Sequence, residues 1–382
     1  MNRGVFLSIT GIICEYNPLH LGHKKQLDLL KVQGHGIVCL MSGNFVQRGA
    51  PAILDKMARA EAAVRSGADL VLELPVTAAL SSAEGFAAEG VRILSHFCEA
   101  LCFGGETDDK ELLLKLAAAL LSPEFPAHLR SELDKGLSFP VARTAALEAM
   151  GLDAAPLNTP NNILAVEYCK AILAQNSSLE SMPILRRGSY HDTLPDGENP
   201  SATALRAMMP ESNWLDYIPK EAHAPLSFAS VHTLAAGERA MLCKLRTMAD
   251  AEFEILPYGS EGLWHKLMRA ARTETTLEDV AAAVKSKRYT RTRIDRMILC
   301  AFLGLTAADL AAPAPYARVL AFNDRGREIL KQARQKFDLP IIGEKQGHPY
   351  QLIEDRCDAL YGLFAADQIE SPAPKYRVRY IP

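Results

Sequence analysis

Hydrophobic positions follow two alternating spacings along the first hundred residues. Short continuous apolar runs are typical of strands buried on both faces, and they predict strands at 5–14, 36–41, 69–74 and 100–103. Between these runs, apolar residues recur every three or four positions, which predicts helices at 20–32, 55–66 and 81–95. This order predicts an α/β, Rossmann-like parallel sheet, which binds ligands at the carboxyl ends of its strands.

The spacing changes further along the chain. Residues 108–180 are mostly helical in pattern, followed by a short strand at 183–185 and a helix at 201–209. Beyond about residue 220, helical patterns alternate with short apolar segments. We therefore predict two domains: residues 1–220 containing the sheet, and residues 221–382 forming a mainly helical domain.

Composition narrows the class of protein only a little. The chain is 48 % hydrophobic and 23 % charged with a net charge of −3, which is ordinary for a globular protein and neither indicates nor excludes a nucleic-acid partner. The eight cysteines form no Cys-x-x-Cys pair, so we predict buried thiols and no protein metal site. Without a signal-peptide cleavage site or a long apolar stretch, a cytoplasmic protein that does not span a membrane is expected.

The first segment with candidate chemistry follows the first predicted strand. Its His-x-Gly-His pattern places His20 and His23 three residues apart at the start of a helix, on one face of its first turn. Gly22 lets a ligand approach the backbone, and Lys24 adds a cation. Free N–H groups at a helix start favour phosphate, and imidazoles donate to phosphate oxygens as charge builds. We predict a phosphate-binding catalytic site here rather than two surface histidines.

A second candidate lies at the start of the predicted helix 201–209. Ser201 and Thr203 have the hydroxyl groups of helix caps, and Arg206 projects from the first turns. Two hydroxyls and a guanidinium at a helix start suit the outer phosphates of a nucleotide. An ordinary N-cap explains the same residues equally well.

Asp55 opens the predicted helix 55–66 and allows two interpretations. It is an ordinary N-cap residue, or, with Lys56, it positions a small acid or the attacking amine. Arg48 precedes it in a polar segment after the second strand, and so lies at the same sheet edge as the histidines.

A basic segment stands out in the second half of the chain. It combines six cations, one acid and Tyr289, a pattern that suits an RNA backbone with one stacked base, although a solvated helix face is the alternative. Arg325 and Arg327 form a weaker candidate. The six predicted RNA-binding cations are Lys285, Lys287, Arg288, Arg291, Arg293 and Arg296.

Together these motifs resemble the tRNA(Met) cytidine acetate ligase family of the class I nucleotidyltransferase superfamily, which pairs His-x-Gly-His with a late Ser-x-Thr-x-x-Arg helix start. The resemblance extends from residue 11 to at least 331. It is carried by EYNPLHLGH (15–23), the segment 41–75, FGGE (103–106), TPNNILAVEY (159–168), SYHD (189–192), SATALR (201–206), KSKRYTRTRIDRMI (285–298) and FNDRGREILK (322–331).

The resemblance implies an enzyme that uses ATP and acetate to form acetyl-adenylate and then acetylates the wobble cytidine of elongator tRNA(Met) to N4-acetylcytidine. It implies magnesium held largely through phosphate oxygens and water, and leaves the oligomeric state open. His20, His23 and Lys24 lie in the implied nucleotide site, and we expect them to be catalytic together with Asp55, which comes from the second interpretation of that residue and not from the resemblance. The implied ATP contacts are Gly11, Ile12, Ile13, Cys14, Glu15, Tyr16, Asn17, Pro18, Leu19, His20, Leu21, Gly22, His23, Lys24, Gly104, Asn162, Arg186 or Arg187, Ser201, Thr203 and Arg206.

The chain departs from the family pattern at three places. Leu21 stands where the family more often has Asn, FGGE replaces the commoner Phe-Gly-Ser-Glu, and the segment before Tyr190 is shorter. A small-molecule adenylyltransferase of the same superfamily and a catalytically silent ATP- or tRNA-binding protein are the alternative functions. The helical part and the basic segment disfavour the first, and the complete set of motif residues disfavours the second.

Overall fold

A mostly parallel sheet organises the chain. The computed structural model describes residues 8–186, 201–209, 213–336, 338–343, 347–373 and 377–382. Within these ranges the strands are β1 (Ile9–Cys14), β2 (Gly36–Ser42), β3 (Phe45–Val46), β4 (Ala50–Pro51), β5 (Leu70–Leu74), β6 (Ala100–Gly105), β7 (Glu180–Leu185), β8 (Ala317–Phe322), β9 (Ile341–Ile342) and β10 (Arg379–Tyr380).

The strand order of the main sheet is β10-β8-β5-β2-β1-β6-β7, and β9 pairs with β8 outside this path. Along this path, the neighbouring strands β5, β2, β1, β6 and β7 are all parallel. The alternating pattern predicted such a parallel sheet. β8 runs antiparallel to β5, and β3 and β4 form a separate antiparallel hairpin. Since β1 lies between β2 and β6, the carboxyl end of β1 is central in the sheet edge that carries the predicted site.

Helices cover both faces of the sheet and continue into a separate helical part. Four short 3-10 helices also occur in the described residues, at Ala155–Asn158, Trp214–Tyr217, Lys220–Ala222 and Gly362–Phe364. The α-helices are α1 (Leu21–Val32), α2 (Lys56–Arg65), α3 (Val76–Ala79), α4 (Ala83–Leu94), α5 (Lys110–Leu121), α6 (Phe125–Asp134), α7 (Phe139–Ala149), α8 (Pro160–Ala174), α9 (Ala202–Met208), α10 (His223–Ser227), α11 (Leu234–Thr247), α12 (Asp250–Glu254), α13 (Leu263–Thr273), α14 (Leu277–Val284), α15 (Arg291–Leu303), α16 (Ala307–Ala311), α17 (Asp324–Lys336) and α18 (Pro349–Tyr361).

Alternate residues of β2 pack into two different cores. Val38 and Leu40 join the core on the α4 and α8 side, whereas Ile37 and Cys39 join the core on the α1 and α2 side. This alternation follows from the two-residue repeat of a strand and explains the continuous apolar run in the sequence. A third core lies among helices α11–α15 and α18.

The C-terminal part returns to the sheet, which the helical pattern did not predict. Strands β8, β9 and β10 all come from beyond residue 316 and extend the sheet past β5. The apolar run 317–322 is short and buried, and periodicity alone does not distinguish such a run from a helix segment. The segment beyond residue 316 therefore contributes strands to the sheet as well as α18 to the helical core.

Among the described residues, no single helix has the length and apolar composition needed to cross a membrane, and one helix pair bent by 81°, α5 with α6, meets those two criteria only when taken together.

Candidate active site

His20 and His23 form a stacked pair at the start of α1. His20 is the N-cap residue, and its Nδ1 accepts a hydrogen bond from the backbone N–H of Gly22 at 3.1 Å. The backbone N–H of His20 in turn donates to Nδ1 of His23 at 3.3 Å. The two rings stack with their centroids 3.7 Å apart. A Cβ at Gly22 would lie 3.0 Å from the His20 ring, so glycine makes room for it.

These contacts set the protonation of both rings. Burial, reinforced by the Arg186 and Arg206 cations, lowers the pKa of His20 to about 3. Burial, His20 and Arg186 likewise lower the pKa of His23 well below its ordinary value. Each ring is therefore neutral near pH 7. Because Nδ1 accepts a hydrogen bond in both, the proton of each ring lies on Nε2, which leaves two N–H donors at one helix start.

Two guanidinium groups accompany the histidines, one on the half-buried Arg206 and one on the exposed Arg186. Arg206 of α9 donates to the backbone carbonyl of Asn17 at 2.8 Å and to the Thr203 hydroxyl at 3.1 Å. Ser201 caps the same helix by accepting from the N–H of Ala204 at 3.1 Å. Burial lowers the pKa of Arg206, Arg48 lowers it further, and the Glu15 carboxylate offsets part of this shift. The second predicted motif thus meets the first in space.

The other guanidinium, Arg186, follows β7. Its backbone N–H continues the pairing of β7 with β6 by donating to the carbonyl of Gly105 at 2.8 Å. Its side chain donates to the side-chain oxygen of Asn161 at 3.1 Å. A Cβ at Gly104 would lie 2.6 Å from Arg186 Cδ, so this glycine admits the arginine. Arg187, the other candidate for this role, lies outside the described residues.

Asn162 has a structural partner on the neighbouring turn. Its side-chain oxygen accepts from the N–H groups of Glu106 at 2.9 Å and Thr107 at 3.2 Å. The Glu106 carboxylate in turn accepts from the N–H of Asn162 at 3.0 Å. These bonds hold the turn after β6 against the start of α8, beside Arg186.

The rest of the predicted ATP segment contributes mainly backbone. Gly11, Ile12, Ile13 and Cys14 lie within β1, and burial raises the pKa of the Cys14 thiol well above its ordinary value, which keeps it neutral. The turn that follows carries Glu15, Tyr16, Asn17, Pro18 and Leu19, and α1 then begins at Leu21.

Lys24 and Asp55 both have local partners. Lys24 forms an ion pair with Asp28 one turn further along α1. Asp55 is the N-cap of α2, and its Oδ1 accepts from the N–H groups of Met57 at 2.8 Å and Ala58 at 3.1 Å. Asp55 therefore acts as an N-cap, which is the first of its two interpretations. A role of Asp55 toward the substrate stays a prediction.

Lys56 lies in a buried ionic cluster. Its ammonium group is 2.7 Å from Glu73 and 2.6 Å from Asp358. Burial alone would lower the pKa of Lys56, but Asp358 and Glu73 outweigh that effect and raise it. Arg318 of β8 lies 3.2 Å from Glu73 in the same cluster. An amine held by two carboxylates is unsuited to binding acetate, so the interpretation of Lys56 as an acetate ligand is disfavoured.

Arg59 is a positioning residue that the sequence analysis did not single out. It is fully buried, and its guanidinium donates to the carbonyls of Leu54 at 2.8 Å, Glu15 at 2.6 Å and Ser42 at 3.1 Å, and also to that of Gly43. It therefore ties together the ends of β1 and β2. The sequence signal for this role was a single arginine on the otherwise alanine-rich buried face of α2.

Several cations of the predicted RNA-binding segment already have partners within the protein. Arg288 pairs with Glu261 at 2.6 Å, and Arg291 pairs with Glu278 at 2.6 Å. The expectation that Tyr289 stacks on a base is wrong, because its ring is only 6 % exposed and packs in the helical core.

The last two arginines of the segment bind backbone. Arg293 donates to the carbonyl of Tyr258 at 2.9 Å, and Arg296 donates to that of Gln47 at 3.1 Å. Lys285 and Lys287 are exposed.

Gly49 joins the helical part to the edge of the sheet. It lies between β3 and β4 with a φ of +81°, and a Cβ there would collide with the backbone of Asp295 and Arg296 at the start of α15. Arg48 precedes Gly49 and is exposed. Burial is the main cause of the lowered pKa of Arg206, and the positive charge of Arg48 is the second. The basic helix α15 is thereby packed against the hairpin that faces the histidine site.

Comparison with known proteins identifies close relatives. The HIGH Nucleotidyl Transferase family model matches residues 7–373. The chain is 38 % identical to the tRNA(Met) cytidine acetate ligase of Clostridium novyi over 88 % of this chain and 89 % of that protein. It is 37 % identical to the enzyme of the same name from Caldanaerobacter subterraneus over 94 % and 93 % of the two chains.

Solved structures agree with this similarity. The apo crystal structure of Thermotoga maritima TmcAL superposes with a TM-score of 0.90 at 30 % identity, covering 98 % of this chain and 100 % of that one. The same protein bound with alpha-thio ATP superposes with a TM-score of 0.87 at the same coverage.

Proposed function

The chain belongs to the tRNA(Met) cytidine acetate ligase family, and we propose from this premise that it activates acetate with ATP and acetylates the wobble cytidine of elongator tRNA(Met). One observation in the structure supports the adenylation chemistry most directly. Two neutral, stacked imidazoles lie at the start of α1, and two desolvated guanidiniums act on them electrostatically. Neutral donors and nearby cations together suit a polyphosphate.

The first step joins acetate to AMP. An acetate oxygen attacks the α-phosphorus of ATP, the bond to the bridging oxygen breaks, and pyrophosphate leaves with the electron pair. The Nε2–H group of His23 donates to a phosphate oxygen as negative charge moves toward the leaving group. His23 is the more exposed ring, so it makes the direct contact, while His20 holds it by stacking and capping.

Positioning supplies much of the remaining rate. Arg186 and Arg206 neutralise pyrophosphate charge, and the N–H groups of the first turn of α1 add donors. Arg59 keeps the ends of β1 and β2 in register for this purpose through its four carbonyl contacts. Fixed donors that need no reorganisation during reaction stabilise the transition state effectively.

The second step transfers the acetyl group. The exocyclic amine of cytidine attacks the acetyl carbonyl, the bond to the AMP oxygen breaks, and AMP leaves, while the amine loses one proton. Arg48 acts electrostatically on Arg206, and the hairpin that carries it packs against α15. The exposed Lys285 and Lys287 offer charges for the RNA backbone. ATP and tRNA as substrates place the reaction in the cytoplasm.

Magnesium fits this reaction as a companion of ATP. No group of three or more His, Cys, Asp or Glu residues within the described ranges is arranged to hold a metal ion. We infer that the ion is bound by phosphate oxygens and water, where it neutralises phosphate charge.

The decisive experiment incubates the protein with ATP, magnesium, radiolabelled acetate and elongator tRNA(Met), and then locates the label after nuclease digestion. Labelled N4-acetylcytidine at the wobble position is the expected result. Acetate-dependent exchange of pyrophosphate into ATP without RNA labelling would refute the acceptor and keep the adenylation step. Absence of both signals would refute the proposed function.

A further inference from the structure

Phe228 is an aromatic side chain with unusual exposure. It ends the short helix α10 and is 91 % exposed, although an exposed phenyl group has an unfavourable contact with water. A groove of about 600 Å³ lies beside it, between α10, the outer face of α2 and the C-terminal strand β10. Met57 and Pro225 contribute apolar surface to this groove, which has the volume of a small-molecule or nucleotide site.

Two arginines line the same groove. Arg377 and Arg379 are both exposed. The groove also contains the carboxylates of Asp55 and Glu61, but each has a partner. Asp55 caps α2. The Glu61 carboxylate is 2.7 Å from the Arg65 guanidinium and 4.0 Å from that of Arg379. Its closer pairing with Arg65 reduces its attraction for Arg379. A flat aromatic surface with adjacent guanidiniums is the arrangement that binds an unstacked nucleotide.

The groove is connected to the adenylation site through one short segment. Asp55 lines the groove, and two residues before it the N–H of Ile53 donates to the side chain of Asn17 at 2.7 Å. The carbonyl of Asn17 accepts from Arg206. Asp55 is only two positions beyond Ile53, and consecutive Cα atoms are at most about 3.8 Å apart. The groove therefore begins close to the loop that carries Asn17 and the histidine motif.

We propose that this groove, which we call the Phe228 groove, binds an unstacked nucleotide of the tRNA anticodon loop that neighbours the reacting cytidine. This inference rests on the proposed function, which supplies a single-stranded RNA substrate at the adjoining site. Phe228 stacks on the base, and Arg377 and Arg379 contact the phosphates on either side. Binding here extracts the loop from its own stack and directs the next base toward the adenylate.

The test measures binding of the full-length protein to the anticodon stem-loop of elongator tRNA(Met), with 2-aminopurine next to the wobble position. Phe228→Ala is expected to weaken binding on the order of 10-fold and to abolish the quenching that stacking causes. Phe228→Trp is expected to restore both. Val32→Ala is the matched control, because Val32 is 87 % exposed on α1 and outside the groove; it is expected to bind like the wild type.

The arginines have a separate readout. Replacing Arg377 and Arg379 together by Gln is expected to lower the slope of log affinity against log salt by about 1 to 2, since each single-strand phosphate contact contributes roughly 0.7. Unchanged affinity in Phe228→Ala together with an unchanged salt slope overturns the groove assignment. If the wild type still acetylates the wobble cytidine, only the groove fails. If the wild type neither binds nor acetylates the RNA, both proposals fail.

Discussion

The ammonium group of Lys56 lies 2.6 Å from a carboxylate oxygen of Asp358, although 302 positions separate the two residues in the chain. The contact joins the start of α2, beside the proposed adenylation site, to α18 near the C-terminus. Glu73 and Arg318 complete the buried cluster, and burial together with Glu73 raises the pKa of the nearby Glu354 to about 7. The site edge therefore depends on a segment distant in sequence.

Lys56→Met is expected to destabilise the protein by about 3–5 kcal/mol, because it leaves the buried carboxylates with only one of their two cations, Arg318. The free energy of unfolding from denaturant titration measures this loss. Lys135→Met is the matched control: Lys135 pairs with Glu132 at 2.6 Å on the surface and is 60 % exposed, so its loss is about 0–1 kcal/mol. Equal effects of the two substitutions would show that the buried cluster is not stabilising.

His23→Ala is expected to reduce acetate-dependent ATP–pyrophosphate exchange by about 100-fold or more, as loss of a transition-state hydrogen-bond donor does. His265→Ala serves as the control, since His265 is an exposed histidine on α13. Exchange at the wild-type rate in the His23 variant would remove His23 from the mechanism.

The neutral state of His20 makes stability depend on pH. Its pKa is about 3 in the folded protein and about 6.5 when unfolded, so the unfolded state binds more protons between these values. Its contribution to stability is complete above pH 6.5 and falls as the pH drops toward 3. Between pH 7 and pH 5 the loss is about 2 kcal/mol.

His20→Asn keeps an N-cap acceptor but removes this titration. We expect the variant to lose about 2 kcal/mol less stability than the wild type between pH 7 and pH 5, measured by denaturant unfolding at both values. Identical losses in the two proteins would mean that His20 is protonated when folded.

Gly49→Ala is expected to destabilise the packing of α15 on the β3–β4 hairpin. The new Cβ would meet the backbone of Asp295 and Arg296, and the φ of +81° is unfavourable for alanine. Gly151→Ala is the control, since Gly151 has a φ of +80° with nothing within 4 Å of its Cβ position. We expect about 1–3 kcal/mol greater loss at position 49 from the collision. Thermal unfolding of both variants measures the difference.

Replacement of Lys285 and Lys287 by Ala is expected to weaken tRNA binding and to lower its salt slope by about 1–2, because these exposed cations are suited to phosphate contacts. Acetate-dependent exchange reports whether adenylation is preserved. Lys115 and Lys135, exposed lysines on the α5–α6 side, give the matched double variant. A loss of binding shared by both double variants would indicate a general charge effect.

Much of the adenylation site followed from local sequence. The strand β1, the helix start at His20 and the cap at Ser201 were predicted because each depends on residues within a few positions. The existence and parallel direction of strands β1, β2, β5 and β6 likewise followed from the alternation of apolar runs with helical spacing, since a strand buried on both faces requires apolar residues at successive positions.

Long-range contacts decided the rest. Whether a charged or aromatic side chain is free for a ligand depends on which distant segment packs against it, and periodicity carries no information on that. Tyr289 is buried by the helical core, Lys56 meets Asp358, and β8 enters the sheet antiparallel to β5. The sequence by itself determined the motif and its helix start. Only the tertiary structure decided which cations of the basic segment remain exposed, because their partners lie on other folded segments, from Glu278, 13 positions from Arg291, to Gln47, 249 positions from Arg296.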